Sequence, residues 1–111
     1  MITSVPDGTP AITDGEVGLT DSLFLTVHPN PFQTSIAIEY SAFLPGNITL
    51  FISDITGREI ERLKDDVFHN KGIYKINFET GAFSSGLYFC TLTKNGHIHT
   101  RKIVKVAADT Q

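Results

Sequence analysis

From Leu23 onward, short apolar runs alternate with polar residues and are divided by turn formers, the two-residue period of half-buried strands. Leu23 to His28 is the first expected strand, stopped by Pro29-Asn30-Pro31, whose prolines cannot donate to a ladder. In Ser35 to Tyr40, the residues Ile36, Ile38 and Tyr40 share one face, and Ser35, Ala37 and Glu39 share the other. Pro45-Gly46-Asn47 signals a turn before Ile48 to Ile55, and Gly57 permits a tight reversal into Arg58 to Leu63. Lys64 to Gly72 reads as a polar loop. Ile73 to Phe78 alternates cleanly, with Tyr74, Ile76 and Phe78 opposite Lys75, Asn77 and Glu79. Ser84-Ser85-Gly86 precedes Leu87 to Lys94. Asn95-Gly96, the strongest hairpin signal in the chain, leads into Ile98 to Val106.

Seven evenly spaced strands without a helix predict an all-β fold, a seven-stranded antiparallel sandwich of the immunoglobulin or fibronectin kind. The chain lacks the Cys…Trp…Cys pattern of antibody domains. The sandwich is expected over 23–106, followed by a short polar tail at 107–111. Residues 1–22 read as a flexible linker, because Pro6, Gly8, Pro10, Gly15 and Gly18 separate isolated apolar residues that follow no period. A linker in that position suggests a domain at the end of a longer protein.

Composition narrows the function. The 111 residues suit a single domain, and a hydrophobic fraction of 41% with eight Phe and three Tyr supplies a two-layer core. Nine basic against twelve acidic residues give a net charge of −3, which offers no field for nucleic acid and argues against an anionic membrane partner. The single cysteine, Cys90, rules out an internal disulfide and, inside Leu87-Tyr88-Phe89-Cys90, reads as a buried thiol. Met1 to Gly8 has no basic n-region or apolar h-region, so if the domain is exported its targeting signal is expected upstream of it.

The search for chemistry yields little. His97 and His99 are two apart and project from one strand face, making them a candidate metal pair, but no third ligand is identifiable and no cofactor is expected. Asp65-Asp66 reads as loop solvation. Asn47-Ile48-Thr49 matches a glycosylation sequon, a pattern that arises often by chance. Gly-rich phosphate loops, a serine elbow and zinc-type Cys/His clusters are all missing, so the reading is not an enzyme. Only Phe32, Phe68 and Phe83 suggest exposed rings for a carbohydrate-binding role.

Several segments align in order and spacing with a known family. They are Val27-His28-Pro29-Asn30-Pro31-Phe32 with Ile38-Glu39-Tyr40, the run Asn47 to Ile60 through Asp54-Ile55-Thr56-Gly57-Arg58, Gly86-Leu87-Tyr88-Phe89, and Lys102-Ile103-Val104-Lys105-Val106. Together these resemble the type A C-terminal sorting domain of the type IX (Por) secretion system of Bacteroidetes. The family's chains usually stop at the basic strand or within one or two residues of it, whereas Ala107 to Gln111 continue past it here.

The resemblance implies a non-catalytic tag that directs a larger cargo, fused on its N-terminal side, through the outer-membrane translocon to the cell surface or medium. It implies a sortase-like peptidase as a second partner, with cleavage within residues 8–22. Pro29, Asn30, Pro31, Gly57, Arg58, Gly86 and Tyr88 are then family-motif residues, each also explicable as structural. Arg101, Lys102, Ile103, Val104, Lys105 and Val106 are the candidate recognition strand, because positive charge gathers there in a net acidic chain. An exposed edge strand would allow weak self-association. The rival readings are a carbohydrate-binding or adhesion module and an immunoglobulin-like spacer of the kind seen in flagellar hook-capping proteins.

Overall fold

A computed structural model describes residues 24–107. The expected linker at 1–22 lies outside the described residues, as does the tail beyond Ala107. Among the described residues there are seven strands and no helix. They are β1 (Phe24–His28), β2 (Ser35–Ala42), β3 (Gly46–Asp54), β4 (Glu59–His69), β5 (Gly72–Glu79), β6 (Gly86–Lys94) and β7 (His97–Lys105).

Every strand pairing within the two sheets is antiparallel. One sheet has the order β1-β2-β5 and the other β4-β3-β6-β7. The alternation in the sequence decides which side chains lie between them. Ile36, Ile38, Tyr40 and Ala42 of β2 are buried, as are Ile48, Leu50 and Ile52 of β3 and Cys90 and Leu92 of β6. Leu25 and Ile103 complete this core from β1 and β7. Enclosing each large apolar side chain contributes about 1.5–3 kcal/mol, which makes this interlayer the main source of stability. At the hairpin between β6 and β7, Asn95 (φ 51°) and Gly96 (φ 81°) both take positive φ, as a type I′ turn requires.

Two sequence expectations are corrected. The polar loop expected over Lys64 to Gly72 is strand up to His69, paired Gly46 to His69, Asn47 to Phe68 and Ile48 to Val67. The register shifts between Ile48 and Leu50, and Asp66 sits at φ 57° with its N–H donated to Thr49 Oγ1 at 3.0 Å. That bulge breaks the alternation and disguises the strand. The second correction concerns rings. Phe32 is wholly buried rather than exposed, Phe83 is half-buried, and Phe68 alone of the three lies well out at 60% exposure.

Candidate functional site

The motif residues lie far apart in the sequence and converge at one pole of the sandwich. Tyr88 pairs with Asp54 on one side and with Ile103 on the other. Gly86 pairs with Lys105, and Lys105 makes a parallel bridge to Phe32. The Pro29–Phe32 segment, the Gly57-Arg58 turn, the start of β6 and the end of β7 are therefore neighbours. Phe24, where the described chain enters, pairs with Ser41 at the opposite pole.

The Pro-Asn-Pro segment serves as a clasp on the outer edge of β7. The Asn30 side-chain amide donates to the Lys102 carbonyl at 2.9 Å, and its carbonyl oxygen accepts from the Val104 N–H at 3.0 Å. One side chain thus supplies both groups that a neighbouring strand would. The main chain continues the pairing, with Phe32 N–H to Val104 carbonyl at 2.8 Å and Val106 N–H to Phe32 carbonyl at 2.9 Å. Pro29 and Pro31, on either side of Asn30, bring no backbone N–H of their own to be satisfied. Pro29, Pro31, Gln33, Ser35 and Val106 border a shallow groove beside the clasp.

The basic strand divides by face. Ile103 is core and Lys105 is buried, while Arg101, Lys102 and Val106 are exposed and Val104 is half-buried. The Lys105 ammonium lies 5.8 Å from the Phe32 ring centroid and donates to the carbonyls of Gln33 and Thr80, the latter at 2.9 Å. Arg101 Nε donates to the Leu25 carbonyl at 2.8 Å and joins the two sheets across their seam. Two of the three cations are therefore engaged within the domain, and Lys102 directs its charge outward. An aromatic cluster lies beneath, with Phe83 5.0 Å from Tyr88 and 6.5 Å from Phe32 between centroids. The Tyr88 hydroxyl donates to the Ser84 carbonyl at 2.6 Å and fixes the ring at the start of β6.

The Gly57-Arg58 turn is organised by Asp54, a residue the sequence reading did not single out. Its Oδ1 accepts from the Thr56 N–H at 2.9 Å, the Thr56 hydroxyl at 2.6 Å and the Arg58 N–H at 3.1 Å. Its Oδ2 faces Arg58 Nε at 3.3 Å. The Thr56 hydroxyl, the backbone donors and the guanidinium hold this carboxyl below its ordinary pKa of 3.8. Gly57 takes φ 90° to close the turn, and its N–H donates to the Asp54 carbonyl at 2.9 Å. The signal was present as Asp-x-Thr, an aspartate able to bond the backbone two residues on. Asp54, Ile55, Arg58, Ser85, Gly86 and Leu87 line an open groove in which the Arg58 guanidinium is largely exposed.

The other candidates lie elsewhere. His97 and His99 follow the Asn95-Gly96 turn at the far pole. Among the described residues no three His, Cys, Asp or Glu side chains are grouped to hold a metal ion. His69 is buried, with Nδ1–H donated to the Val67 carbonyl at 2.9 Å and Nε2 accepting from the Tyr40 hydroxyl at 2.8 Å. Burial pushes the Cys90 thiol up to about 12, so it stays protonated.

Comparison with known proteins points the same way. A family model described as the secretion system C-terminal sorting domain matches residues 26–106. Among solved structures, the dimeric latent PorU of Porphyromonas gingivalis is similar, with a TM-score of 0.61 at 21% identity. The match covers 87% of this chain and 10% of that one. A comparison with curated proteins found no match.

Proposed function

The chain belongs to the secretion system C-terminal sorting domain family, and from that premise we propose that its motif pole is the surface read by the outer-membrane type IX translocon. The domain acts as a tag rather than an enzyme and carries a larger protein fused on its N-terminal side. The observation supporting this is the convergence of Pro29–Phe32, Asp54–Arg58, Gly86–Tyr88 and Lys102–Val106, parts of all four motifs, at the pole opposite Phe24. A cargo joined before Phe24 leaves that pole accessible.

The translocon reads the domain folded. The backbone edge of β7 from Lys102 to Val106 is already bonded by Asn30 and Phe32, so the strand offers side chains rather than ladder groups there. Those on offer are Lys102 and Val106, with Pro29, Pro31 and Arg58 at the rim. A sortase-like peptidase then separates cargo from tag within residues 8–22, and the cargo is attached to the surface or released. The test is export of a fluorescent reporter carrying a Sec signal peptide and this chain, in hosts with and without a working translocon. Surface or medium fluorescence that requires the translocon supports the reading. A folded reporter held in the periplasm of both hosts overturns it.

A further inference from the structure

The sandwich has four edge strands, and among the described residues three carry a device against pairing. β1 has only five residues, runs into Pro29, and has its Leu25 carbonyl occupied by Arg101. β7 is clasped by Asn30 and Phe32. β4 shifts register three times and holds Asp66 at φ 57°. These are the means by which native sheets blunt their edges. β5 has none of these three and carries only the outward charges of Lys75 and Glu79. Its eight residues pair with β2 in unbroken register without proline, and Ile73 is 78% exposed at its start. Tyr74, Ile76 and Phe78 on its inner face are only half-buried.

The hydrogen-bond parity of β5 can be worked out. Leu25, opposite Tyr40, turns its carbonyl away from β2 to meet Arg101, so Tyr40 bonds to β5 rather than to β1. The Thr80 N–H donates to the Thr34 carbonyl at 2.8 Å, and this continues the same parity past the end of the strand. Hence Tyr74, Ile76 and Phe78 bond to β2, and Ile73, Lys75, Asn77 and Glu79 turn their N–H and carbonyl groups to the open edge.

We propose that this edge is a self-association surface, on which a second copy adds its own β5 antiparallel about a twofold axis at Asn77. In that register Asn77 faces its counterpart, Lys75 faces the partner's Glu79, and Glu79 faces the partner's Lys75. All three are hydrogen-bonded pairs of the required parity. Ile76 meets the partner's Phe78 on the inner face, covering side chains that the monomer leaves half-open. Shifting the axis to Lys75 or to Glu79 sets like charges against each other, so the outward charges select a complementary register. A second copy fits better than an unrelated strand because the alternation is complementary to itself. This surface is separate from the β7 clasp, so dimer formation and export are measured independently.

Sedimentation equilibrium of the full chain tests it. A reversible monomer–dimer equilibrium is expected. Lys75→Glu or Glu79→Lys alone should raise the dissociation constant at least about tenfold, since each turns two opposite-charge pairs into like-charge ones. The double reversal Lys75→Glu/Glu79→Lys should restore it. Asn77→Pro should abolish the dimer, because it deletes an N–H aimed at the edge and none bonded to β2. Circular dichroism of each variant checks that the fold is kept. A wild-type chain that stays monomeric at all concentrations overturns the proposal. So do single reversals that dimerise as tightly as wild type.

Discussion

The ammonium of Lys105 lies 5.8 Å from the centre of the Phe32 ring, joining the last strand to the segment that follows the first. Both residues are buried, and the carbonyls of Gln33 and Thr80 accept the lysine's protons. A cation in this position is satisfied by directed carbonyl acceptors rather than by solvent, so its loss leaves two carbonyls unmatched.

Lys105→Met should therefore destabilise the domain by about 3 kcal/mol, since the stem still fills its space while two charge-assisted hydrogen bonds disappear. Urea unfolding checks this, with a lower midpoint expected and an unchanged slope.

Asn30→Ala removes both side-chain bonds of the clasp but spares the two main-chain bonds of Phe32. A loss of roughly 1 kcal/mol is expected because the site is exposed. Hydrogen exchange locates the effect more sharply. The Val104 amide, which donates to Asn30, should exchange faster, while the Ile52 and Leu92 amides in the sheet centre should change little.

The pH dependence follows from Asp54. Its pKa is lower in the folded chain than the ordinary 3.8, so the unfolded state binds the proton more readily. The stabilisation is present above the unfolded value and is lost as pH falls through the folded one. Wild type should lose thermal stability below about pH 4 more steeply than Asp54→Asn, whose melting temperature should be lower near neutrality and flatter in acid. Melting curves across that range check it.

Cys90 is wholly buried and its thiol is pushed up to about 12. It should not react with a thiol-disulfide reagent at neutral pH in the native state, and should react fully once the chain is unfolded in urea. Labelling followed by mass spectrometry distinguishes the two states.

Local alternation made much of this fold readable in the sequence. β2 and β5 follow a strict two-residue period, and the buried and exposed faces fall as the pattern demands. The second half of β4 is not legible from alternation, because the bulge at Asp65-Asp66 places charges where the period requires an inward residue. Phe32 looked exposed because it sits in a proline-rich connection, and only its contact with β7 buries it. Lys105 looked like surface charge for the same reason, since its acceptors are 72 and 25 residues away. Motif identity was legible residue by residue. The gathering of the motifs at one pole was not, because it depends on the order of strands in the sheets and not on any local spacing.

The most direct test of the motif pole compares two variants of the exported reporter, both checked for folding and both measured in a host with a working translocon. One reverses the exposed charges of the pole, Arg58→Glu with Lys102→Glu. The other, Ile73→Lys, changes the opposite pole. The account predicts that the first falls to the level of the translocon-deficient host while the second is exported as wild type. Equal export of the two would contradict it.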